Sequence, residues 1–167
     1  DKDTPLHYAA LQGNERIAEL LIKEGASLDV QNYQGYTPLH WAASKGHIKV
    51  AQTLITHGAD VHTKTERGRT PLFLVAMNNG SVSLARLLLD ADADVNTQEN
   101  SGATPLTYAP FRGFNELIDV FLDHGAEVRI DTDLWFEVFH RACSFAHKRL
   151  AELMIEKGLD VKRKNED

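Results

Sequence analysis

Gly35-Tyr36-Thr37-Pro38-Leu39-His40-Trp41-Ala42-Ala43 is the stretch from which the rest of the chain can be read, because it comes back. Its centre, Thr37-Pro38-Leu39-His40, is preceded by Thr4-Pro5-Leu6-His7 and followed by Thr70-Pro71-Leu72-Phe73 and Thr104-Pro105-Leu106-Thr107, with Thr-to-Thr intervals of 33, 33 and 34. A degraded copy, Glu137-Val138-Phe139-His140, lies a further 33 residues on. A second landmark keeps the same beat: Gly25-Ala26, Gly58-Ala59, Asp92-Ala93, Gly125-Ala126 and Gly158-Leu159. Two independent landmarks with one period make the chain a repeat array.

Each unit reads as two short helices. Thr then Pro is a start signal, the hydroxyl capping free N–H groups and Pro fitting the first helical position. The first helix is small and apolar and stops at Gly13, Gly46, Gly80 or Gly113. The second carries three apolar columns on one broad face: Ile17, Val50, Leu84, Leu117 and Leu150; Leu21, Leu54, Leu88, Phe121 and Met154; and Ile22, Ile55, Leu89, Leu122 and Ile155. Polar turns such as Asn32-Tyr33-Gln34-Gly35 and Thr65-Glu66-Arg67-Gly68 join the units. No unit can bury its apolar face alone, whereas stacked copies can.

The pattern resembles the ankyrin-repeat family over essentially the whole chain. The resemblance implies an all-α solenoid, one domain of five stacked helix–turn–helix units with protruding β-turn fingers, roughly 1–32, 33–65, 66–99, 100–132 and 133–167. Unit three has an extra residue between Thr70 and Gly80, expected to bulge the helix or lengthen the following turn. Unit four has Pro110 inside its first helix, expected to kink it or end it early and so to turn Phe111 and Arg112 outward. Unit five has Trp135 where Gly35, Gly68 and Gly102 stand, and Ala146 where a helix-ending glycine is expected, so its turn should be reshaped. The polar residues of its second helix suit a terminal cap; the other reading is that further repeats follow.

The composition, 43% apolar and 25% charged, is that of a globular domain. Eighteen Lys and Arg against 24 Asp and Glu give a net charge of −6, which argues against general nucleic-acid binding. No apolar run approaches the ~20 residues of a membrane span. The single cysteine, Cys143, fits a reducing compartment, and the expected location is cytoplasmic or nuclear, or the host cytosol for a pathogen effector. The chain opens Asp-Lys-Asp without a signal-peptide pattern, as an excised piece of something larger would. A monomer is expected.

His140, Cys143 and His147 share one helical face at zinc-ligand spacing. The repeat accounts for each without metal: His140 continues the column of His7 and His40, Cys143 the small inward column of Ala10 and Ala43, and His147 the position of His47. Cys143 is therefore expected to be buried and inert. No nucleophile–base pair, phosphate loop or carboxylate dyad stands out, so no catalysis, metal or cofactor is expected. His57 and His124, just before helix-ending glycines, suit the negative end of the helix dipole. Leu88, Asp94, Val95 and Asn96 resemble the pattern read by the asparaginyl hydroxylase of ankyrin repeats, which makes Asn96 a possible hydroxylation site; Asn there is also ordinary family consensus.

The resemblance also implies a non-enzymatic protein-interaction module whose partner lies along a concave face of fingertips and first helices. Carried over column by column, the partner-binding candidates are Tyr33, Tyr36, Trp41, Lys45, Arg67, Arg69, Tyr108, Phe111 and Arg112. Tyr, Trp and Arg are the usual hot-spot residues. The basic members suggest an acidic or phosphorylated segment as partner, and a solvated surface explains them equally well. Tyr8, Trp41 and Tyr108 share a column and are explained as well by packing between first helices. The rival function is a substrate-recruitment or regulatory domain of a longer enzyme, or of a pathogen effector acting on host proteins.

Overall fold

The computed structural model describes residues 1–162, in which ten α-helices pair off in sequence order and no strand occurs. The pairs are α1 (Pro5–Gln12) with α2 (Glu15–Lys23), α3 (Pro38–Lys45) with α4 (Ile48–Thr56), α5 (Pro71–Asn78) with α6 (Val82–Asp90), α7 (Pro105–Tyr108) with α8 (Asn115–Asp123), and α9 (Asp133–Ser144) with α10 (Lys148–Glu156). First helices pack in file from α1 to α9, and second helices from α2 to α8, so each pair touches only its neighbours.

The local chemistry is the one the landmarks prescribe. Thr4, Thr37, Thr70 and Thr104 are extended N-caps with Pro at the first helical position. His57 and His124 turn back on the last turn of their helices, each Nδ1–H donating to the carbonyl four residues earlier, Thr53 or Val120, over 2.8 Å. Asp92 holds the left-handed turn that glycine holds in the other units, at φ 65°.

Burial follows the columns, with the end units telling why. Val50, Leu84, Leu117 and Leu150 are essentially inaccessible, yet Ile17 in the same column is 47% exposed, because among the described residues no pair lies against α2 on that side. The third column is shallower and opens at the other end, where Ile155 is exposed. Cys143 corrects an expectation in the same way. It does stand in the column of Ala10 and Ala43, but those residues are covered by the following pair; behind α9 there is none among the described residues, and the thiol is exposed.

The irregular units resolve one by one. The extra residue of unit three leaves α5 at eight residues, the same as α3, and lengthens the turn. It is Asn79, whose Nδ2 donates to the Ala43 and Ser44 carbonyls at 2.7 and 3.1 Å while its Oδ1 accepts from Ser81 N–H. Pro110 ends α7 at Tyr108, and the chain continues as a 3-10 turn, Ala109–Arg112, with Phe111 half-buried and Arg112 exposed.

Unit five departs in two ways. Its finger is gone: α9 starts at Asp133, and Trp135 is buried inside the helix instead of forming a fingertip turn. The turn after α9, by contrast, is not reshaped. Ala146 adopts the left-handed conformation at φ 56°, which costs an L-residue about 1–2 kcal/mol, and His147 N–H still reaches the Ala142 carbonyl as His47 N–H reaches Ala42.

The fingers stack on one another at the turns Asn32–Gly35, Thr65–Gly68 and Glu99–Gly102. A Cβ on Gly35 would lie 2.7 Å from the Glu66 backbone nitrogen of the next finger, whereas one on Gly102 would meet nothing within 4 Å. Both glycines have positive φ. Gly102→Ala is therefore expected to cost the left-handed penalty alone, about 1–2 kcal/mol, and Gly35→Ala clearly more, because backbone must move. Urea denaturation of the two variants checks this; equal losses would mean that the fingers do not touch.

Candidate functional site

The surface made by the fingers and first helices is held by histidine rungs. Thr37 N–H donates to His40 Nδ1 over 3.1 Å, which leaves Nε2 as the protonated nitrogen; it donates to the Arg69 carbonyl of the next finger over 3.0 Å. His7 does the same from Thr4 to the Tyr36 carbonyl. Burial pushes the His40 pKa down to about 4, because the imidazolium loses its hydration.

Unit three has no histidine for a third rung. Phe73 fills the position, and its place as a tie is taken by an ion pair: Arg69 Nε–H donates to Glu99 Oε2, while Glu99 Oε1 accepts from Ser101 Oγ. Both partners are largely buried, and the guanidinium lies 5.6 Å from the Phe73 ring centre. Arg69 is thus turned into the fold, which corrects its reading as an exposed fingertip residue. In unit four the bonds are local, Thr107 Oγ–H to the Thr104 carbonyl and Thr104 N–H to Thr107 Oγ. His140 makes no rung; its Nδ1–H donates to the Phe136 carbonyl within α9.

The other candidates divide into two neighbourhoods. In the first, Tyr36 and Trp41 are half-buried against each other, ring centres 4.7 Å apart, and Tyr33 stands 61% exposed with the Lys2 ammonium 4.8 Å from its ring centre. Lys45 and Arg67 are exposed. In the second, Tyr108, Phe111 and Arg112 line one cleft of about 350 Å³, with Met77 and Leu134 among its other walls. Tyr108 packs edge-on to Phe73 of the preceding unit at 5.0 Å, so that side chain does serve inter-helix packing. Tyr8 of the same column is exposed and borders a separate hollow at α1 and α2.

Asn96 lies on the opposite rim, in the link between units three and four. Its Nδ2 donates to the Gly125 carbonyl over 3.0 Å and its Oδ1 accepts from Glu127 N–H over 2.8 Å, as Asp29 accepts from Asp60 N–H two junctions earlier. His147 has both nitrogens engaged, Nδ1 accepting from Leu150 N–H and Nε2–H donating to the Asn115 carbonyl. Among the described residues no three His, Cys, Asp or Glu side chains are arranged to hold a metal, and no helix is long and apolar enough to cross a membrane.

Sequence reasoning missed Glu99, Met77, Leu134 and Arg141. Glu99 had a signal: it continues the column of Asn32 and Thr65, both buried, and a carboxylate there requires a cation within reach. Leu134 and Arg141 lie in unit five, where the Thr-Pro landmark that sets the register is lost.

A family model for ankyrin repeats, in three copies, matches residues 1–65 and 72–165, and the chain belongs to that family of protein-interaction modules. Among curated proteins, it is 44% identical over 36 residues to a probable E3 ubiquitin-protein ligase of Oryza sativa subsp. japonica, a match covering 22% of this chain and 7% of the relative. An E3 ubiquitin-protein ligase of Arabidopsis thaliana is 42% identical over 36 residues, with the same coverage. The chain thus aligns with only a small part of these relatives, about one repeat in length.

Two outcomes follow from the rungs. His40 is neutral in the fold down to about pH 4, while the unfolded chain binds its proton near 6.5. The unfolded state therefore holds more protons in that window, and stability is full above pH 6.5 and falls as the pH drops toward 4, by about 3 kcal/mol from this group. Denaturation curves at stepped pH should show a shallower decline in His40→Gln than in the parent. Arg69→Ala should cost about 3–5 kcal/mol, because it leaves the Glu99 carboxylate buried without a partner. Adding Glu99→Gln should recover part of that loss in the same measurement.

Proposed function

We propose that the chain recruits a protein partner along the concave surface of its fingers and first helices, and that the partner presents an acidic or phosphorylated segment. The observation that carries this reading is a set of exposed side chains there, Tyr33, Lys45, Arg67 and Arg112, that make no side-chain hydrogen bond or ion pair among the described residues. Tyr33 and Arg67 stand on fingertips whose backbone bonds are already made, from Tyr33 N–H to the Asp1 carbonyl and from Asn100 N–H to the Arg67 carbonyl. Lys45 and Arg112 are exposed on the same side, and on a chain of net charge −6 they concentrate positive charge locally. Tyr brings contact area with few rotors to freeze, and Arg brings directional donors.

The ubiquitin ligases match only about one repeat, so ubiquitin transfer does not carry over. A recruiting role within a longer enzyme is a second reading that this match favours, and the full gene decides it.

With a partner captured by pull-down, Tyr33→Ala and Arg67→Ala should each weaken binding by roughly 1–3 kcal/mol. Their unfolding midpoints should barely move, since both side chains are exposed. Lys49→Glu, on the second-helix side, should bind normally. Loss of binding in Lys49→Glu with normal binding in the finger variants would overturn the concave-face reading.

A further inference from the structure

The row of fingers stops one unit before the row of helices does, and the gap has chemistry of its own. Each finger donates one backbone N–H to the segment before it: Tyr33 to the Asp1 carbonyl, Glu66 to Gln34, Asn100 to Arg67. The next acceptor in this series is the Ser101 carbonyl. Its donor should come from the start of unit five, but that segment is already coiled into α9. Among the described residues no fifth finger covers this edge, and Ser101 and Gly102 are exposed.

Beside this edge lies the cleft of about 350 Å³. Its inner walls are apolar and aromatic: Met77 from α5, Tyr108 and Phe111 from unit four, Leu134 from the first turn of α9. The volume is at the small end of the ~300–1,000 Å³ range of ligand pockets, right for one bulky side chain. One of its lining residues, Arg112, is basic and exposed, with its guanidinium 6.0 Å from the Phe114 ring centre. A second exposed cation, Arg141, stands just outside the lining, 5.5 Å from the ring centre of the lining residue Phe111. Neither has a carboxylate partner among the described residues, whereas Arg69, Arg129 and Arg149 all do. Both guanidinium groups lie within cation–π reach of a ring, an attraction that leaves their N–H donors uncommitted to any carboxylate.

We propose that the partner inserts an extended segment where the fifth finger is missing: its backbone pairs with the edge at Ser101, one bulky apolar side chain fills the cleft against Met77, Phe111 and Leu134, and a flanking carboxylate meets Arg112 and Arg141. An extended segment is the occupant because the edge offers the backbone acceptor that the preceding fingers use with one another, which is how a strand is added to an open edge. Carboxylate is the flanking charge because the rim cations are unpaired. The assignment rests on the concave-face reading and narrows it to one end of that face.

The test is to pan a phage library of random 12-residue peptides on the full chain and to measure the enriched peptides by fluorescence anisotropy. Enriched sequences should share a Leu, Met or aromatic residue with Asp or Glu within three positions. Leu134→Ser, and separately the double charge variant Arg112→Glu with Arg141→Glu, should each weaken them at least tenfold, with circular dichroism melts close to the parent's. Peptides with Lys in place of the acidic residue should regain binding to the double charge variant, which a merely misfolded cleft would not permit. Methylating the peptide N–H that pairs with Ser101 should also cost at least tenfold. Several outcomes overturn the proposal: no enrichment, enrichment without the motif, or binding indifferent to the cleft variants. If enriched peptides instead lose binding in Tyr33→Ala and Arg67→Ala, the concave face stands and only the cleft assignment falls. If they are lost in Lys49→Glu alone, both readings fall.

Discussion

Each helix pair in this chain owns only half of a core, and it borrows the other half from its neighbours. Val50 and Leu84 are inaccessible because a pair lies on either side of them; Ile17, in the same column, is half bare because among the described residues α2 has a neighbour on one side only. Everything else serves this requirement. The left-handed turns bring the second helix back under the first, and the fingers and rungs keep successive pairs in register so that column meets column. The apolar area closed at a junction is therefore a shared property of two pairs, which is why energies in such arrays behave as sums over units and nearest-neighbour interfaces.

The ties across that shared core change character along the chain. The first two junctions use a neutral imidazole between a threonine cap and the next finger. The third uses a buried arginine–glutamate pair beside a phenylalanine that can no longer hydrogen-bond. At the fourth, the finger is absent and the ties sit on the other side, where Asn115 Nδ2 reaches the Phe145 carbonyl, His147 Nε2 reaches the Asn115 carbonyl, and Arg149 lies at 2.8 Å from Asp123. The substitutions at 69, 73 and 99 thus form one exchange, an ionic tie for a neutral one, and not three independent lapses from the repeat.

The fold was legible because two landmarks repeat at one period, and a period survives the loss of any single copy. Helix stops, the early end of α7 at Pro110 and the tolerance of Asp92 for positive φ all follow from local chemistry and were readable for that reason. Three readings failed where the deciding partner lies a unit away. Cys143 is in the small inward column, but inward means covered only when another pair follows. Arg69 occupies the column of Tyr36, and only the pairing with Glu99, 30 residues on, turns it inside. Ala146 keeps a glycine's geometry because its neighbours hold it there. Of the residues in and beside the proposed docking cleft, the columns located Tyr108, Phe111 and Arg112, which the structure gathers there, but not Leu134 or Arg141, because unit five has lost the residues that set its phase.

The one-sided attachment of the last pair has a mechanical meaning. The hydrogen bonds and ion pairs through Asn115, His147 and Arg149 act as a spine along the second-helix edge, while among the described residues the first-helix edge carries no histidine rung and no finger. A body pinned along one edge rotates about that edge more readily than it slides or lifts. The soft mode at this junction is therefore a swing of α9 and α10 about the spine. Such a swing varies the angle between Leu134 and Phe111 while leaving the covalent path and the salt links intact, so the width of the cleft is a hinge coordinate and not a fixed dimension.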